Sequence, residues 1–365
     1  MQLRTIPVNT PFAALFRLGL VFLYSCTVGT GIASAATDMP VLKAGDSSLK
    51  EWILPDAPAS PADNKWTRER AELGKMLFFD PRLSGTGQVT CASCHFPERG
   101  WADGLPTAVR FQGTQMPLAS PHIVNIAYNT IFMWDGRMPT LEKQAFGGQG
   151  EKADINAGSK VKTEDVVRRI AAVKGYAAAF DSAYPGEGVT RESIAKAIAS
   201  FERTVLSKDS PFDRWLKGDA DAMTSQQING FRVFLDPKKG ACANCHQAPN
   251  FTDNGFHNIG LKSYGAKNHH PGRGKQKPIK IMDGAFKTPG LRDVALTSPY
   301  FHDGSAATLR DVVEHYARGG EVKTNLSPNF KKAVLSDSEK ADLVAFLEAL
   351  TTPPQAFVYP VLPKE

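Results

Sequence analysis

Cys91-Ala92-Ser93-Cys94-His95 and Cys242-Ala243-Asn244-Cys245-His246 are the two stretches whose reading decides the fold of this chain. Two cysteine pairs alone have ordinary explanations: two disulfides in an exported protein, or one zinc site built from two CxxC pairs. Neither explains a histidine directly after both. With 5 Cys and 8 His in 365 residues, chance supplies only ~0.0015 such motifs per chain. The spacing has a chemical reason. Two thiols three positions apart on a tight turn reach the two vinyl groups of one haem, and the next residue sets its imidazole beneath the iron. Cys91 and Cys94 are therefore expected to attach one haem c with His95 as iron ligand. Cys242 and Cys245 are expected to attach a second, with His246 as ligand.

The flanks of the motifs repeat as well. Before the first lies a helical pattern, Arg68 to Phe79, with Leu73, Met76 and Leu77 on one face, closed by Asp80-Pro81. Before the second, Thr224-Ser225-Gln226-Gln227 forms a capping box that leads into Ile228, Phe231, Val233 and Phe234, closed by Asp236-Pro237. A last helix opens on the capping box Ser336-Asp337-Ser338-Glu339 and runs through Leu343, Phe346, Leu347 and Leu350. Long alternating strand patterns are absent. The expected fold is mainly α, with two cytochrome c-like domains, residues 36–200 and 201–365, each holding one haem.

Residues 1–35 read as an export signal. Arg4 and Arg17 precede a short apolar run, Leu18 to Tyr24, and Ala33-Ser34-Ala35 makes an A-x-A cleavage pattern. The run is too short to span a bilayer and no later segment is long enough, so a periplasmic protein without a membrane span is expected. Lipid attachment at Cys26 is disfavoured, because Tyr24 fits that pattern poorly. The formal charge of +6 falls to +4 once the two leader arginines are gone, and haem propionates offset most of the rest. The basic balance therefore does not imply nucleic acid. The run His269 to Lys275 reads as a solvated loop.

The chain resembles the bacterial dihaem cytochrome c peroxidase family. The resemblance rests on both CxxCH motifs, on Trp134-Asp135-Gly136-Arg137 with Leu141 and Gln144, on Phe256-His257-Asn258-Ile259-Gly260, and on Phe286-Lys287-Thr288-Pro289 through Pro299-Tyr300-Phe301-His302-Asp303-Gly304. It covers about Leu73 to Thr351. In that family one haem meets hydrogen peroxide and the other stores or relays electrons. Simple peroxidases of the family often close the first haem with a second histidine; none stands between His95 and His122 here, so the first haem is expected to be open. His122 occupies a family Ser/Thr position and is expected to hydrogen-bond internally rather than to ligate iron.

The resemblance also implies site residues. Peroxide cleavage needs a group that moves a proton between the two oxygens, and register from Trp134 gives Gln144 and Asp154, with Glu151 a competitor and a solvated loop acid the plain alternative for Asp154. Trp134 is expected to relay electrons between the haems, a buried structural indole being its plain alternative. The family's second iron takes a methionine fourteen residues after the Tyr-Phe-His block; that position is Tyr316, as in the MauG-type branch, with His315 and Met282 as rival ligands. Anionic phenolate favours ferric and higher states where thioether favours ferrous iron. Calcium, held in family members partly by an Asn, loses that side chain here because the position is Ala119.

Two functions follow from the resemblance. In the first, peroxide drives the haem pair to a high-valent state that oxidises residues on an exported partner protein. In the second, a conventional peroxidase detoxifies peroxide with electrons from a small cytochrome c or cupredoxin. The Tyr316 register favours the first. MauG proteins that mature methylamine dehydrogenase carry Trp two residues before the second motif, where this chain has Gly240, so the protein target is expected to differ.

Overall fold

Helix α1 (Arg68–Phe79) starts where Thr67 accepts the Arg70 amide on its hydroxyl and ends at Asp80, before Pro81. Proline supplies no amide and clashes with the preceding turn, so the chain must turn there. Leu73, Leu77 and Phe78 are buried on one face. Among them sits Gly74, at the crossing with α5 (Arg191–Glu202): a Cβ there would lie 1.8 Å from the carbonyl oxygen of Ala197. Between α1 and α5 in sequence come α2 (Leu141–Gln144), α3 (Thr163–Ala171) and α4 (Lys174–Ala183). After α5 comes α6 (Pro211–Leu216).

The second half is built the same way. Helix α7 (Ser225–Leu235) begins at the Thr224/Gln227 capping box, and its Gly230 crosses α9 (Asp337–Glu348), where a Cβ would lie 1.9 Å from the Asp342 carbonyl oxygen. Helix α8 (Leu309–Arg318) packs beside α9. Strands β1 (Phe256–His257) and β2 (Phe286–Lys287) form a two-residue antiparallel pair. This computed structural model describes residues 41–145 and 161–364. The expected export signal, Cys26, Glu151 and Asp154 lie outside them. The fold is mainly helical, with two cytochrome c-like halves, and no described helix is long and apolar enough to cross a membrane.

Each half has its own apolar core, and the two ends of the chain cross over. Leu73, Phe78, Ile170, Phe180, Ile198 and their neighbours make the first core, against which Phe357 from the C-terminal tail packs. Phe212, Phe231, Phe251 and Phe346 belong to the second, and Leu49 and Trp52 from the N-terminal side complete it. The buried Arg292 fixes this segment: it pairs with Asp213 at 2.6 Å and donates to the Trp52 carbonyl at 3.2 Å. Arg82 does the same for the tail, donating to the Pro363 carbonyl at 2.9 Å.

A second repeat lies between the halves. Residues 119–140 and 287–308 match at a constant offset of 168 (287 − 119). Asn125 and Asp293 share a left-handed backbone (φ 54° and 57°), as do Met133 and Phe301 (both 70°) and Gly136 and Gly304 (65° and 63°). Thr140 and Thr308 cap α2 and α8. The two copies bond each other reciprocally: the Ala119 amide donates to the His302 carbonyl at 2.8 Å, and the Lys287 amide to the Trp134 carbonyl at 2.9 Å. Such an exchange is the mark of a local two-fold relation.

Candidate functional site

Both CxxCH motifs fold as a single 3-10 turn, Cys91–Ser93 and Cys242–Asn244, and in each the histidine amide donates back to the first cysteine's carbonyl (3.2 and 2.9 Å). That turn sets both sulfurs and the imidazole on one side. The Thr90 amide donates to Ser93 Oγ at 3.0 Å and anchors the first turn. None of these four cysteines is joined to another as a disulfide. His95 Nδ1 bonds the Trp101 carbonyl at 3.1 Å and His246 Nδ1 the Phe251 carbonyl at 2.9 Å. Trp101 and Phe251 both have positive φ (61° and 55°), the strained turn that aims each carbonyl at its histidine. A carbonyl partner keeps the proton on Nδ1 and leaves the Nε2 lone pair for a metal. Burial lowers the pKa of both imidazoles, against the opposing pull of those carbonyls, which suits neutral ligands.

The second half encloses a cavity of about 420 Å³ lined by Cys242, Cys245, His246 and Tyr316 with Phe234 and Leu343. Apolar walls, two attachment sulfurs and an imidazole fit a c-type haem. In the first half the fit shows in orphaned polar atoms. Glu202 and Arg203 are buried; Arg203 pairs with Glu142 at 2.8 Å, yet its Nε and the Glu202 Oε2 lack partners. Burial, opposed by Arg203, pushes Glu202 up to about 8, and its charge is felt at Cys91. Groups like these await a polar partner beside the attachment site.

Tyr316 projects from α8 into the cavity wall. Burial raises its pKa, with the neighbouring sulfurs of Cys242 and Cys245 adding to the effect. Its rival His315 is fully engaged: Nδ1 meets Glu321 at 2.8 Å and Nε2 the Ile259 carbonyl at 2.9 Å. Met282 ends a 3-10 turn and is not among the residues lining this cavity.

Trp134 lines the same cavity and also reaches the first half. Its indole donates to the Ala119 carbonyl at 3.0 Å, and the next residue, Ser120, donates to the Cys94 carbonyl at 3.0 Å. Its ring lies 6.4 Å from that of His302, its counterpart in the 168-residue repeat. Asp135 is pinned by Arg137 at 3.0 Å and Gln276 at 3.2 Å, so the block is rigid. His122 bonds the Gly290 carbonyl through Nε2 at 3.1 Å, while its Nδ1 has no partner; burial takes its pKa down to about 4. Gln144 ends α2, whose Leu141 is buried against Phe132 and Ala199. Asp154 and Glu151, the expected partners of Gln144, lie outside the described residues.

One of the family's calcium donors is missing here. Ala119 has no side-chain oxygen, and its carbonyl already accepts the Trp134 indole. Gly240 likewise has no room for a side chain: a Cβ would lie 2.6 Å from the Val233 carbonyl oxygen. Sequence reasoning missed the polar cluster behind His246. His257 sits 2.8 Å from both Asp253 and Ser327, and burial, which would lower its pKa, is outweighed by its bonds to Asp253 and to the Cys245 sulfur, which raise it. The buried Lys287 is pulled down to about 8 by burial, against the Asp253 charge. Cys245, Asp253 and His257 come within 4.8 Å of one another, but Cys245 is the haem-attaching sulfur. Only the reciprocal repeat, with Lys287 opposite Ala119, would have pointed to this cluster.

A family model described as Di-haem cytochrome c peroxidase matches residues 68–221. The chain is 40% identical over 348 residues to the methylamine utilization protein MauG of Methylorubrum extorquens, covering 93% of this chain and 94% of that protein. It is 34% identical to the cytochrome c551 peroxidase of Nitrosomonas europaea, covering 94% of each. Among solved structures it is similar to a MauG-like protein associated with microbial copper homeostasis, with a TM-score of 0.74 and 32% identity over 82% of this chain and 95% of that one. Likeness of this extent, on a fold that prepares the same imidazole site twice, shows that the chain belongs to the dihaem cytochrome c peroxidase family and is a haem peroxidase-type oxidoreductase with two covalent c-type haems.

Proposed function

We propose that this protein is a MauG-type oxidase of the periplasm: hydrogen peroxide reacts at the haem attached to Cys91 and Cys94, and the oxidised pair of haems then takes electrons from an exported partner protein. Tyr316 is the observation that carries this reading. It shares a cavity with Cys242, Cys245 and His246, while both nitrogens of its neighbour His315 are already bonded. A phenolate oxygen on the second iron would favour its oxidised states over simple electron storage. The leader pattern ending at Ala35 supports export.

When bound, the haems supply the site of peroxide cleavage and the store of oxidising equivalents. The chain's own residues hold and connect them. His95 and His246 present Nε2, fixed by the Trp101 and Phe251 carbonyls. Gln144 and a carboxylate at 154 or 151 carry the proton from the near to the far peroxide oxygen. Trp134 links the halves through Ala119 and Ser120. Similarity to the Nitrosomonas cytochrome c551 peroxidase supports the second reading, peroxide removal with electrons from a small cytochrome c or cupredoxin.

One equivalent of peroxide added to the resting diferric protein separates the two. A long-lived oxidised absorbance spectrum without prior reduction is expected. Silence until half-reduction, then rapid turnover with a reduced cytochrome, would replace this reading with the second.

A further inference from the structure

The two histidines stand in equivalent turns, but the aromatic residues behind them lead to different places. Behind His246, Phe251 touches Trp52, Phe212, Phe234 and Phe346. Every one of these rings is buried, so that cluster is closed. Behind His95 the corresponding residue is Trp101, and its cluster opens to solvent. The Trp101 indole meets Phe357 edge-on at 5.2 Å, and Phe357 meets Tyr359 at 5.1 Å. The two oxidisable rings thus flank one phenyl ring, their centroids no more than 10.3 Å apart (5.2 + 5.1). Tyr359 is 52% exposed. Its hydroxyl donates to Glu98 Oε1 at 2.6 Å, and Glu98 lies three residues after His95.

We propose that Tyr359 is a surface oxidation site, wired through Trp101 to the haem on His95, at which small phenols are oxidised. The proposal rests on the reading that peroxide reacts at that haem. Indole and phenol are the side chains that give up an electron most readily. Phenol does so only when its proton leaves at the same time, and a carboxylate at hydrogen-bond distance is the group to take it. Trp101 passes one electron to the peroxide-oxidised haem and is refilled by Tyr359, whose proton moves to Glu98. The neutral phenoxyl radical then takes a hydrogen atom from a phenol at the surface, restoring Tyr359, and Glu98 releases its proton to solvent in balance with the proton taken up where peroxide oxygen becomes water. Two such cycles consume one hydrogen peroxide and two phenols and yield two waters and two phenoxyl radicals, so atoms and electrons balance. The plain alternative is that these rings only fasten the C-terminal tail. What packing alone does not account for is the combination of an exposed phenol, a carboxylate at 2.6 Å from it and an indole one ring away beside His95.

The test uses the dihaem protein and its Tyr359→Phe variant, which keeps the ring and loses the hydroxyl. Both are mixed with peroxide, frozen within milliseconds and examined by electron paramagnetic resonance, with haem absorbance and guaiacol oxidation followed in parallel. The proposal expects a tyrosyl signal that narrows on ring deuteration in the parent and is lost in the variant. It also expects at least a tenfold slower guaiacol oxidation in the variant and equal thermal midpoints for the two proteins. An identical radical and guaiacol rate in both, or no radical while the haem absorbance shows oxidation, overturns the site and leaves the function proposed above intact. A haem that does not respond to peroxide at all removes both.

Discussion

At residue scale, the function proposed above turns on a choice between adjacent side chains on α8. His315 looks the better ligand by residue type, yet it is spent on Glu321 and Ile259. Tyr316, one position later, faces the cavity. Replacing Tyr316 with Phe is therefore expected to change the ferric absorption and paramagnetic resonance of the second haem and to shorten the life of the peroxide-oxidised state by at least tenfold. An unchanged second-haem spectrum would remove the assignment. The haem-attaching residues were legible in the sequence, because covalent chemistry fixes their spacing, whereas Tyr316 was pointed to only by the family register from His302. The engagement of His315 was not, since Ile259 is 56 residues away and reaches it only through the fold. Glu202 and Arg203 were equally hidden: a Glu-Arg pair in a helical stretch reads as solvent-facing until packing buries it.

At the scale of elements, α7 and α9 could be read with their N-terminal capping boxes and α1 from its apolar face and its Asp80-Pro81 stop. Helix α5 was not read. It is buried almost all round, Ile194 through Glu202, so it shows no clean stripe. Nor could the sequence say that Gly74 and Gly230 are where paired helices touch backbone to backbone. That contact makes a sharp prediction. Gly230→Ala gains helix propensity, worth about 1 kcal/mol, but places a methyl 1.9 Å from the Asp342 carbonyl oxygen. Overpacking costs about 1–3 kcal/mol and occasionally more, and so short a contact with backbone belongs at the upper end, so the clash wins. The variant should have a lower thermal midpoint and loosened α7/α9 packing, measured by calorimetry; a raised midpoint would contradict the crossing.

At the scale of the whole molecule, the two halves were visible as two motifs, but their mutual fastening was not. The 168-residue repeat is weak in sequence, keeping little beyond Pro121/Pro289, the Asp-Gly pairs and the capping threonines. Its reciprocal hydrogen bonds are made by backbone, which any side chain can supply. The crossed ends are likewise silent in sequence, because neither terminal segment carries a helical or strand pattern. Trp52 packs edge-on against Phe212, Phe231 and Phe234 and tilted against Phe251, all far from it in the chain. Trp52→Ala should therefore destabilise the second half by about 3–5 kcal/mol, detected as an earlier unfolding transition of the half that holds the His246 haem. A loss confined to the first half would show that the segment had been wrongly placed.

The crossing also governs the order in which the molecule can be completed. Trp52 lies among the first described residues, yet the core it fills is finished only when α9 arrives; Phe357, near the last residue, closes a core whose other members lie before residue 206. A protein severed between α5 and α6 would therefore give two halves with unfinished cores, each lacking an aromatic residue carried by the other.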